Sequence, residues 1–283
     1  MYPPKFDYYR AGSVEEAIAL QQEHDGKFLA GGHSLIPVMN LRLADPGALI
    51  DIGRIESLKG ISTSGGTVRI GALTTHAMVA ASSAVPTVLS EAAGMIGDPQ
   101  VRNRGTVGGN ISHADPASDL PTVFTALGAT MYIQGPGGSR TVSAEDFFVD
   151  LFATALGENE LLVAIEVPAA NGSGSAYAKL FNPASRYAMV GAAAVVSVAN
   201  GVCSSASVAV GGLTPKATKA NSVGAALTGQ PLNADTIAAA AAAVSGDLGN
   251  DVIGDIHADA DYRRAMAPVY VKRALMKAAE RAG

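Results

Sequence analysis

The chain has 283 residues, a formal net charge of −5 and no tryptophan, with 48% hydrophobic and 16% charged residues. This length can bury a large core and predicts two domains. The negative charge and the lack of basic runs argue against a nucleic-acid partner. No apolar stretch reaches the roughly 18 residues that a membrane span needs. The first residues lack a signal-peptide pattern, which favours a cytoplasmic location.

The first part of the chain has the pattern of a small βαβ-like unit over roughly residues 1–55. Ser13-Val-Glu-Glu16 has the form of a capping box at the start of a short helix. Strands are expected at 27–30 and 48–52, and the first of them leads directly into a glycine pair.

The next part, as far as residue 170, alternates strands and helices. The predicted strands are 67–72 and 161–167, together with a hairpin whose strands lie on either side of residues 135–138. The predicted helices are 86–95, which Gly97 ends, and 120–127, which Gly128 ends.

A change of composition marks the C-terminal part. Residues 168–175 are small and uncharged, as in a flexible linker. The predicted elements that follow are strands at 176–180, 192–199 and 206–210, a helix at 235–244, and a long helix from about Asp259 that Pro268 interrupts. The sequence therefore predicts an α+β protein. Residues 1–170 form one domain with lobes of about 1–55 and 56–170, and residues 171–283 form a smaller domain with a three-stranded antiparallel sheet and helices.

Two glycine pairs stand out, in Leu29-Ala-Gly-Gly-His-Ser-Leu35 and in Thr106-Val-Gly-Gly-Asn-Ile-Ser112. Adjacent glycines let backbone N–H groups approach an anionic group closely, because no Cβ is in the way. Neither stretch has the form of a P-loop or of a dinucleotide-binding fingerprint. We therefore predict two loops that close on one phosphate-bearing ligand. The alternative is a pair of ordinary tight turns.

Longer segments around these pairs, 29–46 and 96–121, resemble the FAD-binding medium subunit of the molybdenum hydroxylases, the group of carbon monoxide dehydrogenase and xanthine dehydrogenase. The likeness runs in order from residue 6 to the Tyr-Arg-Arg segment at 262–264. It implies a two-lobed FAD-binding domain of the PCMH type that holds FAD without a covalent bond. It also implies a large molybdopterin subunit and a small iron–sulfur subunit as partners, usually in a dimer of heterotrimers.

The resemblance and the chemistry of the two loops together give a set of candidate FAD-binding residues. These are Ala30, Gly31, Gly32, His33, Ser34, Leu35, Thr106, Gly108, Gly109, Asn110, Asp119, Leu162, Lys179 and Tyr187. Leu161 is the alternative to Leu162 as an apolar wall on the flavin ring. No catalytic residue and no metal site is expected in this chain.

Several of these residues have a second interpretation. His33 forms hydrogen bonds or packs in its loop, or it carries a covalently attached flavin. Asp119 accepts a hydrogen bond from an FAD hydroxyl, or it is a helix N-cap. Lys179 stabilises the N1–C2=O end of a reduced flavin, or it is a solvated strand lysine. Tyr187 packs on the isoalloxazine ring or lines the access of the acceptor, or it is a surface tyrosine.

Three charged residues near the second glycine pair are also open to two interpretations. Arg102 and Arg104 neutralise the diphosphate of FAD or pair with local acids. Asp115, which precedes a proline, is expected to be a turn residue.

The functional prediction follows from what the sequence lacks. Cys203 is the single cysteine, expected in a strand, and an iron–sulfur cluster takes about four thiolates. There is no metal-ligand cluster and no nucleophile–base pair, so the hard chemistry belongs to a cofactor. The favoured function is electron transfer from [2Fe–2S] clusters on a partner to FAD and on to an external acceptor. The alternatives are a self-contained FAD-dependent oxidase or reductase and a non-enzymatic FAD carrier.

Overall fold

The structure of the protein is a computed structural model, which describes residues 2–282. The first lobe is a three-stranded parallel sheet with strand order β1-β3-β2. Its elements are β1 (Asp7–Arg10), α1 (Val14–His24), β2 (Lys27–Leu29), α2 (Leu35–Asn40) and β3 (Ala48–Asp51). The predicted βαβ-like unit is confirmed, and β1 is a strand that the sequence did not indicate. Helix α1 begins where the Ser13 side chain accepts a hydrogen bond from the Glu16 N–H.

The second lobe is built on a five-stranded antiparallel sheet with strand order β4-β5-β10-β6-β7. Its strands are β4 (Ile61–Ser64), β5 (Thr67–Gly71), β6 (Thr130–Gly135), β7 (Gly138–Ser143) and β10 (Leu161–Pro168), with the small pair β8 (Phe148–Asp150) and β9 (Ala153–Thr154) beside it. Its helices are α3 (His76–Ala80), α4 (Thr87–Met95), α5 (Pro99–Arg104), α6 (Val107–His113), α7 (Asp119–Leu127) and α8 (Ala144–Phe147). A buried apolar cluster between this sheet and α4, α6 and α7 forms the core of the lobe.

The second glycine pair departs from the prediction of a loop. Gly108 and Gly109 lie in the first turn of α6, which Thr106 caps by accepting a hydrogen bond from the Gly109 N–H. Only glycine fits at position 108, because this backbone packs against Ala72 and a Cβ on Gly108 would be 2.5 Å from the Ala72 Cβ. The pair therefore permits close packing of a helix instead of forming a loop.

The C-terminal part contains an antiparallel sheet covered by helices on one face. Its strands, in the order β11-β12-β13-β14, are β11 (Gly174–Phe181), β12 (Ala188–Ala199), β13 (Val202–Gly211) and β14 (Thr218–Lys219). The helices are α9 (Asn221–Leu227), α10 (Ala234–Ala242), α11 (Val244–Asp247) and α12 (Ala260–Ala279). The three long strands are as predicted, whereas the fourth is only two residues long and leaves no pattern in the sequence.

Two expectations for this part are wrong. Helix α12 runs without interruption through Pro268, because Ala267, Tyr270 and Val271 on either side of the proline are buried in the core against the sheet. The predicted linker is also shorter than expected. Gly174 and Ser175 belong to β11, and a Cβ on Gly174 would be 2.0 Å from the Ala278 carbonyl oxygen of α12.

None of the helices in the described part of the chain combines the length and the apolar character that crossing a membrane requires.

Candidate functional site

A cleft of about 640 Å³ lies where the first lobe, the second lobe and the loop before β12 meet. This volume is in the range of a site for a small molecule or cofactor. Of the fourteen predicted site residues, all but Lys179 line the cleft. They are Ala30, Gly31, Gly32, His33, Ser34, Leu35, Thr106, Gly108, Gly109, Asn110, Asp119, Leu162 and Tyr187. Leu161, the alternative to Leu162, also lines it.

The first glycine pair forms a loop whose backbone donors are free. Within residues 2–282, the N–H groups of 31–35 donate to no protein acceptor. Gly31 packs so closely that a Cβ would be 2.2 Å from the Arg104 carbonyl oxygen, and Gly32 has a left-handed φ of 76°. Successive unpaired N–H groups on a curved backbone form a concave site for an anion. Residues 31–35, called the anion-binding loop below for their expected role, thus have the free donors that the prediction requires.

The start of α6 contributes differently, because its N–H groups are already engaged. Gly108 N–H donates to the Ala72 carbonyl oxygen at 2.8 Å, Gly109 N–H to the Thr106 hydroxyl at 3.2 Å, and Asn110 N–H to the Thr106 carbonyl oxygen at 3.0 Å. The Asn110 side chain donates to the Ser118 hydroxyl, while its Oδ1 is buried with no partner in the described part of the chain. The second glycine pair thus forms a wall of the cleft, and the buried amide oxygen of Asn110 lies beside it without a partner in residues 2–282.

The floor of the cleft holds a buried carboxylate. Asp119 accepts hydrogen bonds from the Tyr177 hydroxyl at 2.7 Å and from Lys179 Nζ at 2.8 Å. Burial raises the pKa of Asp119, and the Lys179 ammonium and the Tyr177 hydroxyl act in the opposite direction. Burial and the neighbouring carboxylate raise the pKa of Tyr177 well above its usual value, so that its hydroxyl stays a donor.

The N-cap interpretation of Asp119 is wrong, because Ser118 occupies the N-cap position of α7 and Asp119 is its first helical residue. The interpretation of Lys179 as a solvated lysine is wrong as well. Its side chain is only 2% exposed and forms an ion pair with Asp119. Lys179 therefore acts on the cleft through that carboxylate.

The remaining predicted residues lie at the rim. Tyr187 is 44% exposed, in a loop that Asn182 organises by accepting hydrogen bonds from the N–H groups of Ala184 and Ser185. His33 is exposed, with Nδ1 at 3.2 Å from the Gly31 carbonyl oxygen.

None of the three charged residues beside the second glycine pair, Arg102, Arg104 and Asp115, lines the cleft. Arg102 donates to the carbonyl oxygens of Ile96 and Gly97, and neither Arg102 nor Arg104 lines the cleft. The expectation that they neutralise a diphosphate has no support in this geometry. Asp115 accepts a hydrogen bond from the Ala117 N–H, which confirms it as a turn residue.

Several polar residues of the cleft were missed by sequence reasoning, among them His76, Ser112, His113, Ser118 and Arg186. His76, the first residue of α3, is 3% exposed, and its Nδ1 is buried with no partner in residues 2–282. Burial, and to a lesser extent the neighbouring His33, lowers the pKa of His76 to about 4. Its position in the sequence after a strand and a threonine N-cap gives no signal of a ligand.

The sequence matches two protein-family models that together span most of the chain. Residues 4–170 match the FAD binding domain in molybdopterin dehydrogenase, and residues 175–278 match the CO dehydrogenase flavoprotein C-terminal domain. The carbon monoxide dehydrogenase medium chain of Hydrogenophaga pseudoflava is 43% identical over 97% of both chains. Subunit alpha of the 6-hydroxypseudooxynicotine dehydrogenase complex of Paenarthrobacter nicotinovorans is 39% identical, over 100% of this chain and 97% of that one.

A solved structure agrees with these relatives. It is a carbon monoxide dehydrogenase from Hydrogenophaga pseudoflava that lacks the Mo-pyranopterin moiety of the molybdenum cofactor. One of its chains is 44% identical to this chain, covers 100% of both chains and superposes with a TM-score of 0.96.

The fold and the cleft define an FAD-binding protein of the α+β class with a separate C-terminal sheet domain. The chain belongs to the family of FAD-binding medium subunits of the molybdenum hydroxylases, the group of carbon monoxide dehydrogenase and xanthine dehydrogenase. The predicted family, fold class and cofactor are thereby confirmed. The chain is therefore an oxidoreductase subunit, since its relatives are dehydrogenase subunits.

Proposed function

We propose that the chain is the electron-transfer subunit of a molybdenum- and iron–sulfur-containing hydroxylase. In this proposal it receives electrons from [2Fe–2S] clusters on a small partner subunit and delivers them to an external acceptor. FAD, when bound, supplies a centre that accepts electrons from one partner and gives them to another. The full-length likeness to chains named as parts of dehydrogenase complexes carries the proposal. A single cysteine also leaves this chain without the ligands for a cluster of its own.

The residues of the cleft fit FAD. The five free N–H groups of residues 31–35 match a diphosphate, which needs donors. The buried oxygen of Asn110 has no partner in residues 2–282, and the ionised Asp119 can accept a further hydrogen bond from a sugar or ribityl hydroxyl. Leu161 and Leu162 offer an apolar wall to the flavin ring.

FAD is proposed to be held without a covalent bond. His33 lies in the anion-binding loop with Nδ1 directed at the Gly31 carbonyl oxygen, as a hydrogen-bonding residue of that loop would. Acid precipitation of the purified protein should release FAD into a yellow supernatant. Flavin that stays in the pellet would identify His33 as a covalent link and contradict this part of the proposal.

We propose that the substrate specificity of the complex is determined by another subunit. Two relatives of 43% and 39% identity take their names from carbon monoxide and from 6-hydroxypseudooxynicotine, which are chemically very different compounds. Co-expression with the two partner subunits, followed by analysis of flavin, iron and molybdenum in the purified complex, tests the subunit assignment. A chain that purifies as an active oxidase without either metal would contradict it.

A further inference from the structure

His76 is a buried histidine whose side chain forms no hydrogen bond with the rest of residues 2–282. Its backbone position is fixed, because His76 N–H donates to the Gly105 carbonyl oxygen at 3.1 Å and Val107 N–H donates to the Thr74 carbonyl oxygen at 2.9 Å. The imidazole is 3% exposed and lines the cleft, yet it makes no hydrogen bond with the residues that the structure describes. Buried polar groups in folded proteins normally have a partner, so this one calls for an explanation.

Gly105 packs against one edge of the imidazole ring. A Cβ on Gly105 would lie 2.8 Å from His76 Cδ2 and 2.9 Å from Nε2. Gly105 has an ordinary extended backbone with a φ of −60°, so glycine is not needed for its conformation. Glycine at this position instead lets the Cδ2–Nε2 edge of the imidazole pack against its backbone beside the cleft, which both residues line. In residues 2–282, Nδ1 but not Nε2 is among the fully buried atoms without a partner.

The protonation state of the ring follows from its surroundings. With a pKa lowered to about 4, the imidazole is neutral at pH 7 and carries one N–H. Nδ1 is fully buried with no acceptor near it in residues 2–282, and an unpaired buried donor is costly. The proton therefore belongs on Nε2, where a ligand in the cleft can accept it.

We propose that Nε2 of His76, on the ring edge that packs against Gly105, is a hydrogen-bond donor to the diphosphate of FAD. The position of the ring indicates this part of the cofactor, because the Arg104–Gly105 backbone packs directly against Gly31 of the anion-binding loop. His33, on the same loop, is close enough to His76 to influence its pKa. The inference rests on the proposed FAD site and adds to it a side-chain donor beside the free N–H groups of residues 31–35.

The test measures the affinity of the full-length apoprotein for FAD and for ADP. Adenosine, which lacks the diphosphate, is the control ligand. His76→Phe should weaken FAD and ADP binding by about tenfold, the factor for one hydrogen bond, and leave adenosine binding unchanged. His76→Gln should restore most of the affinity, since its amide N–H reaches a similar position. Gly105→Ala should weaken binding although the histidine is still present.

The melting temperature of each apoprotein separates this role from a structural one. His76→Phe should melt no lower than the wild type, because it removes an unpaired buried polar group. His257→Phe is the matched control, since His257 is exposed and lies outside the cleft. Full affinity in His76→Phe would overturn the inference. So would a loss of affinity that His76→Gln does not restore and that accompanies a lower melting temperature. A wild-type protein that binds no FAD would overturn the proposed cofactor site itself.

Discussion

Single residues of the cleft divide into those that offer backbone donors and those that permit close packing. Gly32 belongs to the first group, with its left-handed backbone and with unpaired N–H groups on either side. Gly108 belongs to the second group, with its N–H bonded to Ala72 and no room for a Cβ. Substitutions at the two positions should consequently affect cofactor binding and folding to different extents.

Gly32→Val should abolish FAD binding, because its Cβ would press on Ile36 and Leu29 and a left-handed backbone is strained for valine, so the N–H groups of the loop would be displaced. Gly229→Val is the matched control. Gly229 has a similar φ of 84°, with no atom within 4 Å of a Cβ. Both variants should lose on the order of 1–3 kcal/mol of unfolding free energy through backbone strain. Flavin content and denaturant titration measure the two effects. Full flavin content in Gly32→Val would show that this loop does not contact the cofactor.

The buried His76 predicts a pH dependence of stability. Its pKa is about 4 in the folded chain and 6.5 in its ordinary state, so the unfolded chain binds the proton more readily. Its contribution to stability is therefore fully present above pH 6.5 and is lost as the pH falls towards 4. As the pH falls from 7 to 4, the wild type should lose about 2–3 kcal/mol of unfolding free energy that His76→Phe does not lose. His257→Phe should lose as much as the wild type, and an equal loss in both variants would refute the assignment.

For single residues, the sequence predicted which residue types line the cofactor cleft better than it predicted which residues contact one another. The two glycine pairs look alike in the sequence, and each has a glycine packed too closely for a Cβ. The pairing of their N–H groups distinguishes them, since those of Gly108 and Gly109 donate to Ala72 and Thr106, whereas those of the first pair are free in residues 2–282. The burial of Lys179 against Asp119 joins residues 60 positions apart, and no local pattern contains such information. His76 was missed for the same reason, since its partner Gly105 comes from another segment.

Among the elements, those with clear apolar patterns were predicted, including the short β2 and β3, whereas α5 and β9 were not. Strands β10 and β12 and helix α7 have mostly apolar sequences and clear ends, such as Gly128 in the left-handed conformation after α7. Helix α5 has a local start signal in the Asp98 cap and Pro99, but it is only six residues long, and β9 has two residues. Pro268 is typical of a helix break, but packing on both sides of it keeps α12 continuous.

Helix α4 is joined to the C-terminal elements by one carboxylate. Glu91 accepts hydrogen bonds from Arg281 and Lys277 of the C-terminal region and from the Tyr177 N–H of β11. Burial alone would raise the pKa of Glu91, but these hydrogen bonds outweigh it and the pKa lies below its usual value. The contact therefore stabilises the fold above the ordinary glutamate pKa and is lost as the pH falls.

Glu91→Gln should lower the unfolding free energy at pH 7 by about 1–3 kcal/mol, because an amide cannot replace a carboxylate that holds two cations. The difference between variant and wild type should shrink as the pH falls below the glutamate pKa. Glu23→Gln, at an exposed position in α1, is the control and should have little effect. Urea titrations at pH 7 and pH 4 measure both. A constant difference at the two pH values would contradict the ionic role of Glu91.

At the scale of the whole molecule, the cleft belongs to no single unit of the fold. The first lobe supplies the anion-binding loop, and α6 and α7 of the second lobe supply a wall and the Asp119 carboxylate. The C-terminal sheet supplies the loop with Tyr187, which lines the cleft, and the Tyr177 and Lys179 side chains, which lie outside the cleft and donate to Asp119. In residues 2–282, no group of three or more His, Cys, Asp or Glu side chains is arranged to hold a metal ion. Through Tyr187, Tyr177 and Lys179, the C-terminal domain helps to complete the cleft.

The chain alone should be unable to oxidise the substrate of its complex, although reduced FAD in it should pass electrons to an artificial dye. One cysteine leaves it without the ligands of an iron–sulfur cluster, so under the proposed function substrate electrons would arrive through a partner. Mixing with the molybdopterin and iron–sulfur subunits should restore substrate-dependent bleaching of the flavin absorbance. Omission of the iron–sulfur subunit is the control and should prevent bleaching. Bleaching of the flavin by substrate in the purified single chain would refute the subunit assignment and identify a self-contained oxidase.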